Sequence, residues 1–138
     1  MDCFVYGTLT DPDRVAEVLD DWTFGPDAVL RGVHRVAGEY PTLAPGGRTT
    51  GRILRTDAVD TLDRYEGVDR GLYVRVPVAW DDEAAAAADT GADAVQVYVG
   101  DPAELEVDAP VAWPGTGSFE ERVGRYVAQE CTVSLRDD

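Results

Sequence analysis

The chain has 138 residues, a length expected to form one domain over residues 1–138 and to bury about two thirds of the surface its unfolded form would expose. It carries 27 acidic residues against 12 basic ones, every basic residue an arginine and none a lysine, for a formal net charge of −15. So negative a field repels nucleic acid and anionic membranes, because phosphate binding needs a basic patch to release counterions. No apolar stretch approaches the roughly 20 residues of a membrane span, and the start, Met1-Asp2-Cys3-Phe4-Val5-Tyr6, lacks the basic region of a secretory signal, so the protein is expected to be soluble and cytoplasmic.

Such self-repulsion opposes compaction in dilute buffer, but in molar salt the screening length falls to about 3 Å and the penalty largely vanishes. An acidic, alanine-rich, lysine-free composition therefore fits a salt-adapted, halophilic host, and the acidity describes the solvent rather than the chemistry. Cys3 and Cys131 are expected to be buried thiols rather than a disulfide. His34 is the lone histidine, and no Cys or His pair has zinc-ligand spacing, so no metal site is expected.

In chain order, residues 3–6 form an apolar, β-favouring run that ends at Gly7, which predicts a strand breaking into a loop. Thr10-Asp11-Pro12-Asp13 then starts a helix: Thr10 or Asp11 can cap it, Pro12 suits the first turn, and Val15, Val18 and Leu19 give an apolar stripe. From Ala28 to Arg55 short β-like runs are punctuated by Gly32, Gly38, Pro41, Pro45, Gly46, Gly47 and Gly51, which predicts three strands. Asp57 to Tyr65 returns to helical spacing, with Val59, Leu62 and Glu66 three and four positions apart and Gly67 placed to end the helix. Glu66 thereby falls on the apolar side.

Leu72 to Trp80 alternates with Leu, Val, Val, Val and Trp at even positions, a strand with one buried face. Residues 81–94 are a low-complexity, alanine-rich connection, read as a hairpin loop or a short exposed helix. Ala94 to Val99 is the returning strand, and Ser118 to Glu130 an amphipathic helix carrying Phe119, Val123, Tyr126 and Val127. Many short strands and three helices, mostly outside regular βαβ order, predict an α+β fold whose sheet curls toward a barrel.

Among groups that can carry chemistry, Glu66 is a carboxylate on the inward side of a helix. Enclosure would raise its pKa by desolvation, and the negative end of the helix dipole would raise it further, which suits a general base near neutral pH. The plainer reading pairs Glu66 with Arg70 or Arg64 at the surface. Tyr6-Gly7-Thr8-Leu9 is a strand end turning toward a helix, where successive N–H groups can converge on an anion or oxyanion, or an ordinary turn. Gly115-Thr116-Gly117-Ser118 lacks the lysine and spacing of a phosphate loop and reads as a helix cap. A Cys3–His34 nucleophilic pair competes with Cys3 as a core residue, and Ser118, Thr8 and Thr116 have no histidine nearby in sequence.

Taken in order, Val5-Tyr6-Gly7-Thr8-Leu9, Gly38-Glu39-Tyr40-Pro41, Gly51-Arg52-Ile53-Leu54, Leu62-Asp63-Arg64-Tyr65-Glu66-Gly67 and Leu72-Tyr73-Val74-Arg75-Val76-Pro77-Val78 resemble the gamma-glutamylcyclotransferase-like family, particularly its gamma-glutamylamine cyclotransferase branch. The resemblance spans most of residues 3–80 and is loose in the last third. It implies a small mixed β-barrel flanked by helices, with Glu66 catalytic and Tyr6, Gly7, Thr8 and Leu9 holding the substrate. Tyr40 and Tyr73 would line or support the pocket. The implied reaction cyclises a γ-glutamyl amine or peptide to 5-oxoproline and frees the amine, without metal or cofactor. In familiar members a lysine often follows the Tyr-Gly-Thr-Leu loop, and Thr10 stands there in this chain. The alternative from a different class is a non-catalytic small-molecule or partner-binding module on the same fold.

Overall fold

The computed structural model describes residues 2–36, 42–80, 94–102 and 111–135. Its elements are β1 (Asp2–Val5), α1 (Pro12–Val18), β2 (Thr23–Val36), β3 (Thr42–Arg55), α2 (Val59–Glu66), β4 (Tyr73–Trp80), β5 (Ala94–Gly100), α3 (Phe119–Glu130) and β6 (Thr132–Leu135). The strands close into a barrel in the order β1-β3-β2-β6-β4-β5. The barrel is mixed, because β1 runs parallel to β5 and β4 parallel to β6 while the remaining pairs are antiparallel. Together with the flanking helices this is the α+β barrel that the sequence pattern and the family resemblance lead one to expect.

The two-residue period of the strands sorts side chains into two cores. Phe4, Leu30, Leu43, Ile53, Val76, Val78, Trp80, Val97, Val99 and Val133 fill the barrel interior, joined from α3 by Val123 and Val127. On the outside, Cys3 and Val5 of β1, Leu54 of β3 and Tyr73 and Tyr98 of the β4–β5 hairpin meet Val15, Leu19 and Leu62 beneath α1 and α2. β1 is buried along its whole length because both of its faces are covered, Phe4 by the interior and its neighbours by the helices.

The segment from Ala28 to Arg55 departs from the three strands expected. It belongs to two long strands, which pair antiparallel from Thr23↔Arg55 to Val36↔Thr42 with a break where the ladder passes from Arg31↔Arg48 to Val33↔Pro45. One more residue is used on β3 than on β2 at this point, so Gly46 and Gly47 form a bulge, both with positive φ, opposite Gly32, which also has positive φ. Glycines that look like strand ends in the sequence bend the strands instead, because a bulge adds twist without ending the ladder. Gly32 is further constrained by packing, since a Cβ there would collide with the carbonyl of Glu130 at the end of α3.

β6 has no counterpart in the sequence reading. Its four residues lie between Ala28–Arg31 of β2 and Ala79–Trp80 of β4, and without it the barrel would stay open between those strands. The alternation of β4 holds at Val76, Val78 and Trp80, which point inward, whereas Leu72 packs with the outer core under α2. Residues 81–93, expected to form a loop or short helix, and Tyr40, expected at the pocket, lie outside the described residues. No helix among the described residues is long and apolar enough to cross a membrane.

Candidate active site at the barrel mouth

β1 delivers Tyr6 to the mouth of the barrel. Phe4 faces the interior and Val5 the outer core, so the next residue, Tyr6, returns to the interior face and stacks on Phe4, with ring centroids 6.4 Å apart. Its phenol donates to the Tyr98 carbonyl at 2.6 Å, which leaves the oxygen lone pairs free to accept from a ligand. After Gly7 the chain tightens into a 3₁₀ turn, Thr8–Thr10. The Thr10 N–H (3.1 Å) and hydroxyl (2.7 Å) both bond the Gly7 carbonyl. Thr8 and Leu9 begin the turn, so their N–H groups precede its first internal donor, the Thr10 N–H, and have no acceptor within the turn. The Leu9 side chain is buried in the outer core and fastens the loop rather than lining a pocket.

α1 follows directly. Its cap is Asp11, whose carboxylate accepts from the Asp13 N–H at 2.9 Å, with Pro12 in the first turn. Thr10, the other cap candidate, spends its hydroxyl on the loop.

Glu66 is the last residue of α2. Gly67 ends the helix in the left-handed conformation at φ 74°, and its N–H bonds the Arg64 carbonyl. A Cβ on Gly67 would meet Leu72 at 2.8 Å, so glycine is required twice over, by conformation and by space. Glu66 is partly buried, and burial of its carboxyl pushes its pKa up to about 7. None of the ion pairs among the described residues includes it, which sets aside the surface pairing with Arg64 or Arg70. The charge of Glu66 bears on the Tyr6 phenol, as do Tyr73 and the guanidinium of Arg35; burial, Tyr73 and Glu66 drive that phenol well above its ordinary range and Arg35 works in the opposite direction. Tyr73, Glu66 and Arg35 are thus the groups whose charge reaches the Tyr6 phenol.

α2 is held to the sheet by a network that the sequence did not reveal. The Asp63 carboxylate accepts from Arg75 Nε at 2.9 Å, Arg75 Nη2 at 3.4 Å and the Tyr98 hydroxyl at 2.7 Å. Arg75 also donates to Gln96 Oε1 at 3.2 Å. Tyr98 is the hub, since its hydroxyl binds the Asp63 carboxylate while its backbone carbonyl receives the Tyr6 proton. Asp63 and Glu66 are three positions apart, one helical turn, so fixing Asp63 fixes where Glu66 emerges. That spacing was the one available signal, because Arg75 and Tyr98 come from strands well downstream.

The other sequence candidates lie elsewhere. Cys3 is fully enclosed in the outer core, where burial pushes its thiol up to about 11, and the exposed His34 sets its Nδ1 against the Gly46 carbonyl at 2.9 Å. No nucleophilic pair is formed. Cys131 is also a buried free thiol. Ser118 caps α3 by accepting from the Glu121 N–H at 3.2 Å. No cluster of three His, Cys, Asp or Glu residues able to hold a metal occurs among the described residues.

The closed mixed barrel with its flanking helices has the γ-glutamyl cyclotransferase fold: it matches a solved gamma-glutamyl cyclotransferase with a TM-score of 0.59, 17% identity, and coverage of 91% of this chain and 97% of that one. The sequence matches the family described as Gamma-glutamyl cyclotransferase, AIG2-like, over residues 3–121, and the chain belongs to that family. An Arabidopsis thaliana protein solved in solution is 28% identical, with a TM-score of 0.54 over 87% of this chain and 78% of that one. AIG2-like protein C, also of Arabidopsis thaliana, is 37% identical over 76 residues, which are 49% of this chain and 44% of that protein, so the match spans under half the length of this curated relative.

Proposed function

We propose that the protein is a cyclotransferase that converts a γ-glutamyl amine or peptide to 5-oxoproline and a free amine, with Glu66 as general base and then general acid. The observation that carries this reading is the partly buried Glu66 carboxyl, with a pKa of about 7, whose charge bears on the Tyr6 phenol in a chain of this family. At neutral pH such a group exists in both protonation states and can both take and return a proton. That property favours catalysis over a binding module on the same fold.

The substrate brings its own nucleophile, so the protein has only to position it and manage protons. The α-ammonium, resting against the Tyr6 oxygen, gives a proton to the Glu66 carboxylate. The freed amine attacks the γ-carbonyl carbon and closes a five-membered ring. Charge moves to the carbonyl oxygen, where the N–H groups of Thr8 and Leu9 offer themselves as donors. As the intermediate collapses, the bond from the γ-carbon to the leaving nitrogen breaks and that nitrogen takes its proton from Glu66. The ring nitrogen then gives its second proton to the freed Glu66 carboxylate, which passes it to the released amine, so the amine departs as an ammonium, the lactam keeps one N–H and Glu66 returns to its starting state. The reading calls for no cofactor. Tyr73 lines the same end of the barrel, and Gly7 lets the loop come close to the substrate.

The test is 5-oxoproline release from a panel of γ-glutamyl amines and dipeptides in concentrated potassium chloride. Wild type is expected to form product from at least one of them, while a folded Glu66→Gln variant loses on the order of 10²–10⁴-fold in kcat. Equal activity of the two proteins would remove Glu66 from the reaction.

A further inference from the structure

We propose that Arg35 is the residue that binds the α-carboxylate of the γ-glutamyl substrate and so sets specificity for an amino-acid end. This inference rests on the cyclotransferase reading and adds a residue to it. Strand register places Arg35. It pairs directly with Leu43 across the β2–β3 ladder, and paired residues share a face. Leu43 is buried in the barrel interior, so Arg35 stands on the interior face, the face that also carries Tyr6. The next pair along is Val36↔Thr42. Thr42 is tied to Gly100 by reciprocal hydrogen bonds of 2.9 and 2.8 Å, and Gly100 pairs with Tyr73. Arg35 therefore lies at the end of the barrel where Tyr73 and Tyr6 are found, and its charge is felt at the Tyr6 phenol.

None of the ion pairs among the described residues includes Arg35, so no carboxylate among them competes with a ligand for its guanidinium. Arg35 is exposed at this end of the barrel, and the charges of both Arg35 and Glu66 reach the Tyr6 phenol, which suits a ligand bearing both an anion and a cation, as an α-amino acid end does: carboxylate toward Arg35, ammonium toward Glu66 and Tyr6. Guanidinium binds carboxylate through two parallel N–H donors, which fixes orientation as well as position. Because carboxylate and amine share one carbon, anchoring the first aims the second at the γ-carbonyl. Thr10 offers no alternative cation in the loop, and its hydroxyl already bonds the Gly7 carbonyl.

The experiment compares wild type, Arg35→Gln and Arg35→Lys on two ligand pairs in concentrated potassium chloride, with melting temperature as the check on folding. For turnover, a γ-glutamyl amide is set against the matching N-substituted 4-aminobutanamide, which has the same amine and carbonyl, lacks the α-carboxylate and closes to 2-pyrrolidinone. For equilibrium binding, 5-oxoproline is set against 2-pyrrolidinone. Arg35→Gln is expected to lose about 10- to 100-fold in kcat/KM on the γ-glutamyl amide and a similar factor in 5-oxoproline affinity, as loss of a charge-assisted bond does. Arg35→Lys recovers part of the loss, and the ligands without carboxylate are handled equally by all three proteins. Losses of equal size on both members of a pair, or an unchanged KM for the γ-glutamyl amide, would overturn the assignment, as would failure of wild type to bind 5-oxoproline. Arg35-dependent binding of 5-oxoproline by a protein that turns over no γ-glutamyl compound would support Arg35 and sink the catalytic reading instead.

Discussion

The raised pKa of Glu66 follows from its place in the last turn of α2: the same carboxylate on the open surface would titrate in the ordinary range and could serve neither as base nor as acid near pH 7. Its raised pKa also has a cost in stability. The folded protein holds the Glu66 proton more tightly than the unfolded chain, so stability falls as pH rises from the usual carboxylate range through about 7, where the enclosed group must ionise. Glu66→Gln cannot ionise. It is expected to be more stable than wild type at pH 8 by roughly 1–3 kcal/mol while losing nearly all turnover, and to show no such advantage near pH 4. Paired urea titrations at the two pH values check this, and a variant less stable at pH 8 would contradict the burial of the carboxyl. At this scale helical spacing and the family resemblance brought out Glu66, Tyr6 and Tyr73. They did not bring out the contacts of Arg75 and Tyr98 with Asp63, nor the place of Arg35, because each depends on strands remote in the chain; the Tyr98 hydroxyl reaches back 35 positions to Asp63.

α2 works as an element because it is clamped at Asp63 and released at Gly67. The Asp63 carboxylate receives three donors from β4 and β5, so Asp63→Asn leaves Arg75 without its charge partner and weakens the bond to Tyr98. The expected cost is about 2–4 kcal/mol of stability. Because α2 then loses its register on the sheet, kcat should fall at least tenfold with a smaller change in KM. Steady-state kinetics below the melting temperature separate the two effects, and an unchanged kcat would show that the clamp does not position Glu66. The elements themselves were mostly legible. β1, α1, α2, β4, β5 and α3 all stand within a few residues of where apolar period and capping residues put them. The misses have physical reasons: in β2 and β3 the glycines serve a bulge rather than an end, and β6 is four residues long, too short for alternation to announce it. Its place is fixed only by the gap that the other strands leave.

At the scale of the molecule the dominant quantity is charge. With a formal net charge of −15, repulsion acts on the folded state far more than on the expanded chain, and salt relieves it. Raising potassium chloride from about 0.1 to about 1 M, which shortens the screening length from about 10 to about 3 Å, should raise the melting temperature by several degrees; a flat or falling melting temperature would contradict the salt-adapted reading. Barrel closure was legible only as a tendency, since strand order is decided by pairings such as Phe4↔Val97 that join distant segments. The active end of the barrel is a product of that closure. It brings the end of β1, the end of α2, the start of β4 and the end of β2 to one mouth, and no local stretch of sequence contains the site.

If Glu66 moves the protons of ring closure, the pH dependence of 5-oxoproline release must carry its titration. On the γ-glutamyl compound that wild type turns over best, kcat/KM measured between about pH 5 and 9 should rise along an acid limb with a midpoint near 7, where Glu66 loses its proton. The residual activity of Glu66→Gln should lack that limb. A wild-type profile that is flat through neutral pH, or an acid limb that persists in Glu66→Gln, would assign the proton transfer to another group.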